Sequence, residues 1–340
     1  MRSTHKRTIA VYVAVCCVVL LLGSLGAFRP IGERGAELIF FLGTGHMVEL
    51  TEKPAETQPP QLSTRPTEGT TPTEEIPEES IPVETFPVRE PLFSSSDAAL
   101  VKLQNLCGYA TDIPAWLCQP LSWQLQQTEP TVLILHSHGT ESYSDTKSNN
   151  YRSKDRNNNM VSVGAELTRL LENAGIGVIH DTAMHDSPSY DDSYENSRAS
   201  AEYYLQRYPS ICLVLDLHRD SMMDSSGSQI RYALETEQGT AAKMMFVVGT
   251  DAGGQNHPKW SENMALAVKL HALLEKKYPG ICRPISFRSQ RFNQDLSPGA
   301  LIVEVGAAGN DRKEALLAAE ILGEVILELS RGAATEDSTS

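Results

Sequence analysis

Three short apolar runs each end in side chains that can bind a metal or move a proton. Val132-Leu133-Ile134-Leu135 leads into His136-Ser137-His138-Gly139-Thr140-Glu141. Ile211-Cys212-Leu213-Val214-Leu215 leads into Asp216-Leu217-His218-Arg219-Asp220. Ala300-Leu301-Ile302-Val303 leads into Glu304-Val305-Gly306. Zinc takes imidazole nitrogen and carboxylate oxygen in a roughly tetrahedral set, and a catalytic site leaves one position open. Two histidines and one carboxylate are a common protein share of such a site. His138 and His218 are read as the histidine ligands, although a single histidine at a strand end is more often structural. His136 stands two residues before His138, so a strand continuing that far would point both to one face. Glu141 is either the carboxylate ligand or a group that orients a histidine from behind. Glu304 suits a general base; the alternative is a buried carboxylate paired with Arg219, Arg288 or Arg291. Arg219, Asp220, Asn293, Gln294 and Asp295 are candidate substrate contacts. For the loop at 293–295, stabilisation by Asx-type turns explains the residues equally well.

These residues need a scaffold that brings three strand ends together. Short continuous apolar runs read as buried parallel strands. In open α/β sheets, sites form outside the carboxyl ends of such strands. Between the runs lie helical patterns at Met160–Asn173, Tyr194–Tyr208, Trp260–Tyr278 and Arg312–Leu329. Further strands are expected at 176–180 and 244–249. Alternating strands and helices predict an α/β fold, with a mostly parallel twisted sheet flanked by helices. Asp251-Ala252-Gly253-Gly254 does not fit a phosphate-binding fingerprint, and no Gly-x-Ser-x-Gly elbow occurs.

The chain has 340 residues and a formal net charge of −14, which argues against nucleic-acid binding, since that needs a basic footprint. Arg2, Lys6 and Arg7 precede an uncharged apolar stretch from Thr8 to Phe28. It is long enough to span a bilayer as a helix, with the N-terminus cytoplasmic and the remainder exported. A cleaved signal peptide is the alternative, but the core is long for one. Ala36 to Leu42 is too short to span. From Glu52 to Glu90 the chain is rich in Pro, Thr and Glu; nine Glu against one Lys and two Arg give −6. Such a composition predicts an extended, disordered tether. The expected organisation is anchor 1–35, tether 36–93, catalytic domain 94–332 and disordered tail 333–340. The six cysteines show no CxxC zinc pattern. Cys107 and Cys118 either pair outside the cell or remain free thiols.

The blocks His136-Ser137-His138-Gly139-Thr140-Glu141-Ser142-Tyr143, Asp216-Leu217-His218-Arg219-Asp220 and Asn293-Gln294-Asp295-Leu296-Ser297-Pro298-Gly299 through Gly306 resemble the stage II sporulation protein P family. The anchor and variable tether fit as well. The resemblance implies a zinc-dependent N-acetylmuramoyl-L-alanine amidase. Such an enzyme removes stem peptides from peptidoglycan and cleaves peptide cross-links during forespore engulfment, at the cell membrane. It also implies a septal complex with stage II sporulation proteins D and M. Carried over by position, it points to His138, His218 and Glu304. In the amidases a glutamate opens the helix after the first strand; here that helix opens with Asn157-Asn158-Asn159-Met160. The third ligand is then Glu141 or His136. The missing glutamate also fits a non-catalytic peptidoglycan-binding scaffold of the same fold.

Overall fold

The computed structural model describes residues 92–336 apart from 122–124 and 126–128. The expected anchor, the patch at 36–42 and the tether lie outside these residues. Among the described residues no helix is long and apolar enough to cross a membrane.

Among the described residues seven strands form one sheet. In chain order they are β1 (Leu103–Asn105), β2 (Pro130–Leu135), β3 (Gly177–His180), β4 (Leu213–Asp220), β7 (Met244–Val248), β8 (Ile285–Phe287) and β9 (Ala300–Ala307). A separate antiparallel hairpin, β5 (Ala233–Thr236) and β6 (Gly239–Ala242), stands apart. The sheet order is β1-β8-β7-β9-β4-β2-β3. All neighbours run parallel except β7 and β9. The sheet is mostly parallel, as expected, with two parallel blocks meeting at one antiparallel seam. Consequently β9, β4 and β2 lie side by side and end on one edge.

Among the described residues five helices accompany it: α1 (Ile113–Cys118), α2 (Met160–Asn173), α3 (Ser193–Arg207), α4 (Trp260–Lys277) and α5 (Arg312–Glu336). The strands are apolar on both sides because both faces are covered. Val132 and Ile134 of β2, Leu213, Leu215 and Leu217 of β4, and Leu301, Val303 and Val305 of β9 enter the large core with residues of α2, α4 and α5. The alternate residues Leu133, Leu135, Val214 and Ala300 meet α3. Period-2 alternation thus fixes which residue faces which layer. α5 runs to Glu336, into the stretch read as tail. Cys107, Cys118 and Cys282 are free thiols.

Candidate functional site

The parity of the strands sorts the candidate residues. On β4, Asp216 and His218 follow Val214 onto the α3 face. On β9, Glu304 follows Ile302 onto the same face, and His218 and Glu304 are direct partners in the β4–β9 register. β2 ends at Leu135, and residues 137–140 form a turn. That turn carries His138 across to the other two, its ring 5.1 Å from that of His218 and nearly perpendicular to it. The structure therefore gathers His138, His218 and Glu304 at three adjacent strand ends.

His136 does not join them. It keeps the parity of Val132 and Ile134 and points to the α2 face, so the expectation of one face shared with His138 fails because the strand stops first. Its Nδ1 lies 3.2 Å from the Leu217 carbonyl and its Nε2 lies 2.9 Å from His180 Nε2. A carbonyl only accepts, so His136 donates from Nδ1 and accepts the proton of His180 at Nε2. Both nitrogens are in use. Burial, with His180 beside it, holds His136 down to about 3.

Glu141 follows the turn at 137–140, and a detour of the chain brings α2 back to it. Residues 142–159 loop out and return: Ser142 N–H donates to the Tyr151 carbonyl, Ser153 N–H to the Thr140 carbonyl, and Met160 N–H to the Glu141 carbonyl. Glu141 thus lies against the opening turn of α2, whose N-cap is Asn159. The position that lacks a glutamate in sequence has one beside it in space. Glu141 Oε2 stands 3.9 Å from His218 Nδ1 and accepts the Arg219 backbone N–H at 3.1 Å. Tyr143 locks the detour to β9, its hydroxyl donating to the Val305 carbonyl at 2.8 Å.

The substrate contacts expected from sequence have internal partners instead. Arg219 is buried; its Nε and Nη2 donate to the carbonyls of Ser142 and Tyr151, and Nη1 to Glu141. It clamps the detour. Asp220 pairs with Arg283 at 2.7 Å. Gln294 bridges Gly249 N–H and the Val247 carbonyl. Asp295 takes Arg198 bidentately at 2.9 and 3.0 Å. Asn293 donates to the Tyr194 carbonyl and to Ser197. These groups build the rim, each held by an internal partner.

Two tyrosines missed in the sequence line the mouth. Tyr190 stacks on His138 at 4.4 Å and 9°, and the Arg152 guanidinium lies 4.6 Å over the Tyr190 ring. Arg152 is itself held by Asp186 at 2.6 Å. Tyr194 touches both histidine rings, edge-on to His138 and stacked near His218. Neither carries a spacing signal, since both sit around a polar helix start.

Carboxylates dominate the electrostatics. Burial pushes His218 toward neutrality, but Asp216, Glu141 and Glu304 outweigh it and raise its pKa to about 10. Burial raises Glu304 to about 8, reinforced by Glu141 and opposed by His218. Burial and the neighbouring His218 hold His138 at about 4. His138 Nδ1, His218 Nε2 and Glu304 Oε2 are buried without a hydrogen-bond partner, which buried polar groups rarely are. Among the described residues no three His, Cys, Asp or Glu side chains stand in a metal-binding arrangement. The donor set still fits zinc in kind: two imidazoles, carboxylates beside them, an orphaned Nδ1 and a cluster that needs a cation.

Residues 41–327 match the family described as Stage II sporulation protein P (SpoIIP). A Stage II sporulation protein P of Bacillus subtilis (strain 168) is 29% identical over 213 residues, 58% of this chain and 50% of that protein. The chain thus spans about half the length of the curated relative it matches. Among solved structures, the CwlD amidase from Clostridioides difficile, in complex with the GerS lipoprotein, aligns at 13% identity with a TM-score of 0.38, covering 62% of this chain and 100% of that one. The catalytic domain of CwlV, an N-acetylmuramoyl-L-alanine amidase from Bacillus (Paenibacillus) polymyxa, aligns at 15% identity with a TM-score of 0.35, covering 59% and 97%.

Proposed function

The chain belongs to the stage II sporulation protein P family, and from that premise we propose that it is a zinc-dependent peptidoglycan hydrolase of sporulation. It cleaves the N-acetylmuramoyl-L-alanine amide and, with the same site, peptide bonds of the stems. The observation that carries this reading is the convergence of His138, His218 and Glu304 at the adjacent ends of β2, β4 and β9. His138 and His218 would hold the metal, with Glu141 the nearest further carboxylate. Zinc, when bound, supplies Lewis acidity to the amide carbonyl. Glu304 moves the proton: it accepts one from the attacking water and returns it to the departing amine. Its closed surroundings hold its proton affinity near neutrality, where a general base works best. Tyr190 and Tyr194 pack on the histidine rings.

The apolar stretch at 8–28 and the Pro/Thr/Glu-rich tether support a membrane-anchored enzyme whose catalytic domain lies outside the cytoplasm, acting alongside stage II sporulation proteins D and M. The scaffold reading draws on the asparagines that open α2; the placement of Glu141 beside that helix favours the enzyme.

The test is zinc analysis of the full chain, with mass spectrometry of digested peptidoglycan. One zinc per chain and released stem peptides are expected. His138→Ala and His218→Ala should each lose the metal and the hydrolysis. A zinc-loaded chain that binds sacculi but releases nothing would leave the scaffold reading standing.

A further inference from the structure

We propose that Arg152 is a specificity-determining residue, which receives a carboxylate of an acidic stem peptide at the mouth of the site, and that exposed cations of the same segment draw such a peptide in. This rests on the reading of the site as that of a peptidoglycan hydrolase.

The detour between Glu141 and α2 is basic in an acidic protein. From Ser142 to Asn159 it holds Lys147, Arg152, Lys154 and Arg156 against Asp145 and Asp155, whereas the whole chain carries −14. Both carboxylates of the detour are engaged. Asp155 accepts from the Asn157 N–H at 3.0 Å and from Asn158 Nδ2 at 2.6 Å. Asp145 faces Arg312 at 3.9 Å. Lys147, Lys154 and Arg156 are exposed, and among the described residues no ion pair joins them to a carboxylate. Cations left unanswered in this way raise the local concentration of anions within about a Debye length.

Arg152 brings that charge to the site. Its Nη1 donates to Asp186 Oδ2 at 2.6 Å and to Thr140 Oγ1 at 3.0 Å, which fixes the guanidinium plane. Its Nη2 stands 3.8 Å from Glu141 Oε1, beyond hydrogen-bond reach, so that nitrogen is not spent on Glu141. The side chain keeps 27% of its surface open. The guanidinium lies over Tyr190, and Tyr190 stacks on His138, so a single aromatic ring links Arg152 to an imidazole of the site. Arginine offers a planar fork that suits a carboxylate, and a fork already held in place loses little freedom on binding. An extended peptide advances roughly 3.5 Å per residue. With the bond to be cleaved at His138 and Glu304, a carboxylate one to three residues along reaches Arg152.

The experiment compares hydrolysis by the full chain of two muropeptide preparations, one native and one with its carboxylates converted to methylamides. The wild type should lose about 10- to 100-fold in kcat/KM on the amidated preparation, the usual share of one charge-assisted hydrogen-bonded pair, with KM carrying most of the change. Arg152→Gln should lose that factor on native muropeptides and respond little to amidation. Arg152→Lys keeps the charge without the fork; it should fall between the two, and it decides the matter if Arg152→Gln does not fold. Added salt should lower the wild-type kcat/KM on native muropeptides, and Lys154→Gln with Arg156→Gln should flatten that dependence. A residue that only ties the detour to Asp186 would lower the melting temperature and leave the native-to-amidated ratio at its wild-type value. That result, or a wild type indifferent to amidation, would overturn the proposal alone. A wild type that hydrolyses neither preparation would overturn the hydrolase reading, and this inference with it.

Discussion

Glu304 can be tested by changing one atom type. Glu304→Gln keeps the size, removes the proton acceptor and leaves no buried charge behind. It should fold, retain zinc and bind peptidoglycan, yet lose about 2 to 4 orders of magnitude in turnover, the usual share of a general base. An ion-pair role would predict a lower melting temperature with much of the activity intact. No salt bridge holds Glu304 among the described residues, so arginine pairing is not what places it there. Tyr190 permits a second test. It covers one face of the His138 ring and is 52% exposed, so Tyr190→Ala should uncover the imidazole. Peptide mapping after diethyl pyrocarbonate treatment should show His138 of the metal-free chain modified several-fold faster, with Tyr190→Phe unchanged. Equal rates would mean the ring does not shield it. The sequence made His138, His218 and Glu304 legible because an apolar run ending in such a residue is unusual. It hid the two tyrosines, whose contacts with His138 cross more than 50 residues of chain.

At the level of elements, α2 was readable to its boundaries, Met160 to Asn173, from the spacing of its apolar residues and its stop at Gly175. The detour before it was not. A polar stretch of Asn, Ser and Lys looks like a solvated loop, and only the backbone bonds of Ser142, Ser153 and Met160 show that it brings the start of α2 back to Glu141. The three-residue strands β1 and β8 and the β5–β6 hairpin carry too little pattern to be read with confidence from periodicity. One α2 residue exposes the packing beneath the site. A Cβ at Gly164 would stand 2.6 Å from both His136 Nε2 and His180 Nε2. Those rings cannot retreat without breaking their mutual bond or the bond to Leu217. Gly164→Ala gains about 1 kcal/mol of helix propensity, but overpacking of this kind costs typically 1–3 kcal/mol. A net loss of stability is expected in chemical denaturation. A more stable variant would show that the histidine pair is loosely held.

For the whole molecule, the sequence specified the α/β class of the fold, but not the antiparallel seam between β7 and β9. Strand neighbours are set by long-range pairing that no local period encodes. The same burial that builds this sheet leaves histidines in the interior, and that ties stability to pH. His271 lies within α4 and is fully buried. Burial holds its pKa down to about 4, with Glu275 opposing and Lys102 reinforcing the shift. His180 is held at about 4 in the same way. An unfolded histidine titrates near 6.5. Between those values the unfolded chain binds protons that the folded chain refuses, so stability falls as pH drops from about 6.5 toward 4. The contribution is complete above 6.5. Glu304, raised by burial, works in the opposite sense and is weakened as pH rises, so the total curve mixes both. Comparing the wild type with His271→Leu isolates one group. The variant removes an imidazole without touching the site, and its loss of stability between pH 6.5 and 4.5 should be smaller than that of the wild type by on the order of 2 kcal/mol. Denaturant unfolding of both proteins across that range gives the difference directly. Parallel curves would mean that His271 binds its proton equally well in the folded and unfolded chain, and that the interior around α4 opens to water far more readily than its packing implies.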